Sequence, residues 1–276
     1  MLLTSLFAVA VATATPDLDR ASLLAAERGF AADAQRDGVR RAFLAHFDAG
    51  SWLFRPLPLP ALDTLARDAD DSSFLQWEPD LVGISEAGDV GFTSGPWSAH
   101  GAGSEKISHG HFLTVWRRAE DGIWRVQADN GVAHAGLAKA AAVVTLAAPT
   151  ASSARADIAA IEDRRRQLER VDDELRRALA GDHAKSALPA FAGPTLHVLR
   201  QSQLPADAAD ALNLVAKDPA GLGRGPRRAL GVAASGDLGY TLGGAEACAG
   251  CGSDLRIWQW RDNRWKVLVD LSTMQP

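Results

Sequence analysis

Two histidines on one segment of the chain are of a type and spacing that could do chemistry. His109 and His111 stand two residues apart in an apolar run, and alternation along a strand places both on one face. Two such imidazoles could share a metal ion, or one could act as a base near neutral pH. No third ligand is spaced to complete a site, although His100, Asp129 and His134 could approach in space, so no metal is predicted. The alternative, which we favour, is that backbone groups or solvent satisfy both rings.

A single aspartate is the second candidate for chemistry. Asp129 ends a predicted strand and stands five residues after Trp124, just as Asp270 stands five residues after Trp265. At the mouth of a pocket such a carboxylate could be a general base, with its pKa raised by apolar walls. It could equally cap a turn before Asn130–Gly131, and the turn is favoured.

These residues belong to a stretch of sequence that occurs twice. Gly88–Thr93 returns as Gly236–Thr241, 148 residues later, and the simplest alignment then pairs Trp116 with Trp260. A repeat this long indicates two whole domains, because solenoid repeats are only about 20–50 residues long. The length of 276 residues also suits two domains.

The elements that would position the candidate residues can be read from apolar periodicity. Helical spacing covers Asp19–Phe47, with a break at Gly38, and it returns over Leu168–Leu179. From Phe74 to Ala128, and again from Leu230 to Leu271, short apolar runs alternate with Gly-bearing turns, which indicates hairpins. Helices followed by an antiparallel meander are typical of the α+β class.

The motifs of the first half resemble a known group of proteins. In chain order they are Trp77–Pro79, Gly88–Trp97, His109–Phe112, Trp116–Arg118 and Asp121–Val126. With the order of helices and strands, they resemble the nuclear transport factor 2-like superfamily, and within it the ketosteroid-isomerase-like and SnoaL-like small domains of unknown function. The second half matches mainly through Gly236–Gly243 and Trp260–Asp270, as a diverged copy.

The resemblance implies a fold and an assembly. The fold would be α+β, with two tandem cone-shaped domains, each with N-terminal helices packed on a strongly bent antiparallel sheet around a pocket. Many relatives dimerise through the outer face of the sheet, so an intramolecular pseudo-dimer or a homodimer is expected. The domains would cover residues 20–134 and 157–276, joined by a linker at 135–156 whose apolar segment 140–148 could instead continue a strand.

The N-terminus has the character of an export signal. Residues 1–15 contain an apolar run that closes on small residues at Ala12 and Ala14, and it is too short for a membrane span. No basic residue precedes Arg20. A signal peptide is favoured over a buried or frayed helix, and it predicts a periplasmic or secreted protein.

The only two cysteines stand close together as Cys248-Ala-Gly-Cys251 in a Gly-rich segment. Two thiols do not complete a tetrahedral zinc site, and a redox Cys-x-x-Cys normally opens a helix rather than lying between strands. In an exported protein, a local disulfide that staples a loop is the favoured interpretation.

Composition narrows the class of partner. A net charge of −5 gives no reason to expect nucleic acid, which needs a clustered basic surface. No later segment reaches transmembrane length, and no Walker, Rossmann, zincin or Ser–His–Asp pattern is present, so no cofactor is predicted.

Three functions remain. The favoured one is an exported module that holds a small apolar or amphipathic ligand in the pocket of the first domain. The predicted ligand-binding residues are Trp77, Phe92, Trp97, His109, His111 and Asp129. The alternatives are a SnoaL-like or isomerase-like enzyme, with Asp129 or His111 as the proton-transfer base, and a dimerisation module whose pockets are filled. Steroid isomerisation uses a Tyr in its oxyanion hole. The only tyrosine, Tyr240, lies in the second repeat at the position of Phe92, which argues against steroid isomerisation.

Overall fold

The structure is a computed structural model, and it describes most of the chain. The described residues are 16–69, 73–101, 103–104, 106–136, 142–146, 157–181, 184–219, 222–223, 225–244 and 252–274. The predicted signal peptide at residues 1–15 and the cysteines Cys248 and Cys251 lie outside them. Over the ranges that are described, no helix has both the length and the apolar character needed to cross a membrane.

The first half forms one sheet covered by helices. Its helices are α1 (Pro16–Asp37), α2 (Val39–His46) and α3 (Ala61–Arg67), and its strands are β1 (Phe47–Phe54), β2 (Pro58–Pro60), β3 (Phe74–Trp77), β4 (Leu81–Ile84), β5 (Val90–His100), β6 (Ser108–Arg118), β7 (Trp124–Ala133) and β8 (Val144–Thr145). The strand order is β2-β1-β7-β6-β5-β4-β8, and β3 pairs with β5. The predicted break at Gly38 is confirmed, because a positive φ of 93° at this glycine separates α1 from α2.

The second half repeats this plan with a smaller sheet. Its helices are α4 (Ile158–Ala180), α5 (Ala184–Phe191) and α6 (Ala208–Val215), and its strands are β9 (Ala192–Arg200), β10 (Ala206–Asp207), β11 (Arg227–Val232), β12 (Leu238–Gly244), β13 (Gly252–Arg261) and β14 (Arg264–Met274). The strand order is β10-β9-β14-β13-β12-β11. Helices thus precede strands in both halves, and the predicted α+β class is confirmed.

Both sheets are mixed, whereas the sequence predicted antiparallel sheets. β1 runs parallel to β7, and β9 runs parallel to β14. The strands joined by hairpins, β5–β6–β7 and β12–β13–β14, are antiparallel as expected. Only consecutive strands joined by a tight turn are obliged to be antiparallel, and β1 and β9 meet partners that lie far along the chain.

Part of the predicted linker belongs to the first sheet. Val144–Thr145 forms β8, which runs parallel to β4. The backbone N–H of Val144 donates to Asp80 O at 2.8 Å, and that of Leu146 donates to Val82 O at 3.0 Å. The apolar segment therefore pairs with a strand of the sheet, which was the alternative interpretation of residues 140–148.

The strand register shows which residues of the two halves correspond. Trp116 lies opposite Gly91, and Trp258 lies opposite Gly239, so the counterpart of Trp116 is Trp258. The pairing of Trp116 with Trp260 is wrong by two residues, because two tryptophans flank Gln259 and sequence spacing alone does not choose between them. A register shift falls immediately before each tryptophan, in β6 and in β13, and such irregularities bend strands.

The glycine opposite each tryptophan lets a helix approach the sheet. A Cβ at Gly91 would lie 2.5 Å from Leu23 Cδ2 of α1 and 2.9 Å from the backbone oxygen of Gly83. A Cβ at Gly239 would lie 2.7 Å from Leu168 Cδ2 of α4. Leu23 and Leu168 are therefore equivalent, and the helix of each half is placed on its sheet by the same contact.

The Gly91→Ala variant should be destabilised by about 1–3 kcal/mol, because the new methyl group must displace both Leu23 and a backbone carbonyl. Urea unfolding followed by tryptophan fluorescence measures the loss. Gly101→Ala is the control, since a Cβ at Gly101 meets no atom within 4 Å. Equal stability of the two variants would contradict this account of the helix–sheet contact.

The two sheets pack against each other with the faces that carry no helices. One buried apolar layer contains residues from both halves: Phe92, Leu113, Val115 and Val132 from the first, and Leu242, Leu255, Val269 and Leu271 from the second. Hydrogen bonds are exchanged symmetrically, since Glu86 N donates to Asp237 Oδ2 at 3.1 Å and Ala234 N donates to Asp89 Oδ2 at 2.9 Å. The contact is therefore reciprocal, because equivalent residues of the two halves exchange equivalent hydrogen bonds.

Candidate functional site

The first half contains a cavity of about 260 Å³ between its helices and its sheet. We call it the aromatic cavity. It is lined by Phe30, Phe43, Leu75, Trp77, Trp97, Ala99, Phe112, Asp129, Asn130 and Gly131. Half of these residues are aromatic and one is acidic, so the surface offered to a ligand is apolar with a single charged group.

The aromatic walls are fixed by edge-to-face contacts. The ring of Phe30 on α1 lies 4.8 Å from that of Phe43 on α2 and 4.9 Å from that of Trp77 on β3, measured between centroids. Interplanar angles of 60° and 74° make both pairs edge-on. This geometry is the favourable one for aromatic quadrupoles, so the wall formed by α1, α2 and β3 is held in place without a ligand.

Asp129 on β7 presents the acidic group of the cavity. The Thr114 hydroxyl on β6 donates to its Oδ2 at 2.7 Å. No described residue donates a hydrogen bond to its Oδ1, and the residue is half-buried. Burial raises the pKa of the Asp129 carboxyl to about 7, against the hydrogen bond from Thr114 and with a further upward contribution from Glu27. The carboxyl is therefore close to half protonated at neutral pH.

A second carboxyl lies behind the wall of the cavity. Glu27 on α1 is fully buried, and Trp77 Nε1 donates to its Oε1 at 2.5 Å. Trp116 Nε1 donates to Oε2 at 2.9 Å, and the Thr93 hydroxyl donates to the same oxygen. Burial raises the pKa of the Glu27 carboxyl, and the hydrogen bonds from these three donors, which lower it, do not offset the burial. Among the residues that the structure describes, neither Glu27 nor Asp129 forms an ion pair with a basic side chain.

The structure brings together three of the six predicted ligand-binding residues. Trp77, Trp97 and Asp129 line the aromatic cavity. Phe92 and His111 lie on the opposite face of the sheet, towards the second half, because even positions of β5 and odd positions of β6 point there. That they bind a ligand in this cavity was therefore an incorrect expectation.

His109 lies near the start of β6, on the same face as His111, and it does not line the cavity either. His111 itself is buried and pairs with His134, with Nδ1 and Nε2 at 2.8 Å. Burial, with His134 and His197 nearby, lowers the pKa of His111 to about 4, so the imidazole is neutral. In the ranges that the structure covers, no three His, Cys, Asp or Glu side chains are grouped to hold a metal ion.

Sequence reasoning missed part of the cavity wall and the carboxyl behind it. Phe30, Phe43 and Glu27 come from the helices, and none was predicted as a site residue. A signal for Glu27 exists, because it stands four residues after Leu23 and three before Phe30, on the apolar face of α1. An acidic residue on an apolar helix face needs buried hydrogen-bond donors, and here two tryptophans and a threonine supply them.

The second half carries the same polar motif below its helix. Asp172 on α4 accepts a hydrogen bond from the Thr241 hydroxyl at 2.9 Å, and Trp258 Nε1 donates to Thr241 Oγ1 at 2.9 Å. Thr93 and Trp116 are arranged in the same way around Glu27, with Trp116 Nε1 at 3.0 Å from Thr93 Oγ1. Glu27 and Asp172 are thus equivalent, as Leu23 and Leu168 are.

In the second half, buried ion pairs surround the residue that corresponds to Asp129. Asp270 lies opposite Arg256 in the sheet, as Asp129 lies opposite Thr114, so the predicted equivalence of the two aspartates is confirmed. Arg256 Nε lies 2.7 Å from Asp270 Oδ1, and Arg200 Nη1 lies 2.7 Å from Asp270 Oδ2.

Further arginine–aspartate ion pairs belong to the same buried cluster. Arg176 on α4 binds Asp254 through two bonds of 2.8 and 2.7 Å, and it binds Asp172 at 2.7 Å. Arg256 Nη1 lies 2.9 Å from Asp254 Oδ2 and 3.8 Å from Asp172 Oδ1. The two halves therefore share a framework and differ in what lies inside it.

Solved structures that resemble this chain carry the names of the superfamily predicted from the sequence. A nuclear transport factor 2-like superfamily protein from Salmonella enterica is 10% identical with a TM-score of 0.36, covering 44% of this chain and 94% of that one. An NTF2-like protein with a cystatin-like fold from Novosphingobium aromaticivorans is 15% identical with a TM-score of 0.35, covering 44% and 86%. A ketosteroid isomerase-like protein from Erwinia carotovora atroseptica is 14% identical with a TM-score of 0.34, covering 42% and 95%. No protein-family model and no curated protein matches the sequence.

Proposed function

We propose that the first half binds a small, largely apolar molecule in the aromatic cavity, and that Asp129 is the group that orients it. The observation that carries the proposal is a half-buried carboxyl group, one of whose oxygens accepts no hydrogen bond from a described residue, in a cavity whose other lining residues are mainly aromatic. Ligand sites combine apolar walls with a few polar groups in this way. In the second half the corresponding acid, Asp270, is already paired with Arg256 and Arg200.

The size of the cavity limits the ligand. A volume of about 260 Å³ exceeds the roughly 150 Å³ that admits benzene, and it lies below the ~300–1,000 Å³ typical of drug-sized ligands. A molecule with one or two rings, or a short branched chain, fits this range.

Proton transfer is the second candidate, and the raised pKa of Asp129 supports it. A general base works best with a pKa near the operating pH, and that of Asp129 is about 7. The base would be Asp129 rather than His111, since His111 faces away from the cavity. The only other polar side chain lining the cavity among the described residues is Asn130, so binding is the stronger proposal.

Indole and toluene test the binding proposal. Each should shift the methyl and aromatic NMR signals of cavity residues saturably, because each is smaller than the cavity. Ala99→Phe, which adds a ring to the cavity wall, should weaken both at least about tenfold. Ile123→Phe, at an exposed turn, is the control. Absence of saturable binding of either probe to the wild-type protein would refute the proposal.

We propose in addition that the protein is exported. The apolar run at residues 1–14 and its small residues at Ala12 and Ala14 support this. N-terminal sequencing of the protein recovered from its own cells should begin at Thr15 or Pro16, and an intact Met1 would refute export.

A further inference from the structure

The equivalence of the two halves indicates what charge the aromatic cavity is built to receive. In the second half, Asp172 and Asp270 are bridged by arginine: Arg176 binds Asp172, and Arg256 binds Asp270 while lying 3.8 Å from Asp172. A guanidinium group thus lies between the two acids. This counter-charge is a side chain of the protein, not a ligand.

In the first half the two acids are retained, but two of the arginines are not. Glu27 stands at the position of Asp172, and Asp129 at that of Asp270. The position of Arg256 holds Thr114, and by the spacing of Glu27 and Asp172 the position of Arg176 holds Ala31. The position of Arg200 holds Arg55, which pairs with Asp68 and not with Asp129. Each of the two replacements removes a cation and a long side chain from beside the acids.

The charge balance of the first half is therefore incomplete. Glu27 and Asp129 form no ion pair with a basic residue in the part of the chain that the structure describes, and Glu27 raises the pKa of Asp129 further. A buried carboxylate is stable when a counter-charge lies beside it. A cation in the cavity would supply that charge.

The walls suit the same occupant. The faces of tryptophan and phenylalanine attract cations, and Trp77, Trp97 and Phe112 all line the cavity. The indole N–H of Trp77 donates to Glu27, so its positive edge is directed at the carboxyl and away from the cavity. Carboxylate and aromatic groups together favour a cation that carries an apolar body.

We propose that the ligand of the aromatic cavity is a small organic cation, with a guanidinium, amidinium or ammonium group that binds Asp129 in place of the absent arginine. The proposal rests on the proposed ligand-binding function and specifies its ligand class. The apolar body of the cation lies among Phe30, Phe43 and Trp97. The cationic group reaches Oδ1 of Asp129, the oxygen that accepts no hydrogen bond from a described residue.

Benzamidine and benzamide form a matched pair of probes, since they are nearly isosteric and only the first is charged. Titration calorimetry on the full chain at pH 8, where Asp129 is mostly ionised, should give at least about tenfold tighter binding of benzamidine. Asp129→Asn should abolish this preference and leave the affinity for benzamide within about threefold. Asp121→Asn, which removes a carboxyl from an exposed turn, should behave like the wild type.

Each outcome bears on one of the two proposals. Tighter binding of benzamidine that is lost in Asp129→Asn supports the cation. Equal affinities, or tighter binding of benzamide, would overturn the cation while leaving a neutral ligand in the cavity. Failure of both probes, together with indole and toluene, would overturn ligand binding itself. A preference that persists in Asp129→Asn would place the cation elsewhere and refute the role of Asp129.

Discussion

Replacing Asp270 by asparagine is expected to destabilise the protein by about 3–5 kcal/mol at pH 7. The substitution leaves Arg256 and Arg200 buried with one counter-charge fewer, and both guanidinium groups lie 2.7 Å from this carboxylate. Burial alone favours the neutral acid, but Arg200 and Arg256 outweigh it and hold the pKa of Asp270 below its usual value. Chemical denaturation with matched slopes for wild type and variant measures the loss.

The sign of the pH dependence follows from the lowered pKa. The stability that the Asp270 carboxylate contributes is fully present above the pKa of the unfolded chain and is lost as the pH falls through the lower pKa of the folded state. The cost of Asp270→Asn should therefore shrink in acid. Asp163→Asn, on an exposed turn of α4, is the control. A cost below about 1 kcal/mol at pH 7 would show that Arg256 and Arg200 do not depend on Asp270.

Buried ion pairs of this kind cost desolvation as well as gaining attraction, so they are weak as a general source of stability. What matters here is where these ion pairs lie in the fold. The ion pairs surround Asp270, whereas its counterpart Asp129 lines a cavity and has no basic partner among the described residues. A duplicated framework thus neutralises its acid internally in one half and not in the other.

Much of this framework could be predicted from sequence, because repeats and turns are local signals. Gly88–Thr93 and its copy fixed the number of repeats, and counting from Trp124 and Trp265 paired Asp129 with Asp270 correctly. The count from Trp116 failed, since a register shift in β6 and β13 and a nearby second tryptophan obscure the alignment. The equivalent tryptophans, Trp116 and Trp258, are identified in the structure by the glycine that lies opposite each of them.

The composition of the cavity was harder to predict, because it depends on which face of the sheet the helices cover. Alternation placed His109 and His111 on one face of β6 but did not say that this face meets the second half. Asp129 lies on the other face, so grouping it with the histidines joined two separate environments. The spacing of α1 marks Glu27 as an acid on an apolar face, but its partners could not be predicted for a related reason: the donors Trp77 and Trp116 are 50 and 89 residues away along the chain.

Asp129→Asn should have the opposite effect to Asp270→Asn, although the two residues are equivalent. The pKa of Asp129 is raised to about 7 from 3.8, so the folded protein holds a proton that the unfolded chain releases at lower pH. The stability of the wild type therefore falls as the pH rises from about 4 through about 7. Asparagine does not ionise, and it can still accept the hydrogen bond from Thr114.

Relative to the wild type, Asp129→Asn should gain roughly 2–3 kcal/mol between pH 5 and pH 8, as the buried carboxyl of the wild type ionises. Denaturation at both pH values, without ligand, measures this difference. The buried carboxyl of Glu27 lies near Asp129. It is present in both the wild type and the variant, so its contribution to the difference in stability largely cancels. An unchanged difference between pH 5 and pH 8 would mean that Asp129 ionises as freely as an exposed aspartate, and the cavity would then lack the environment that makes a cationic ligand necessary.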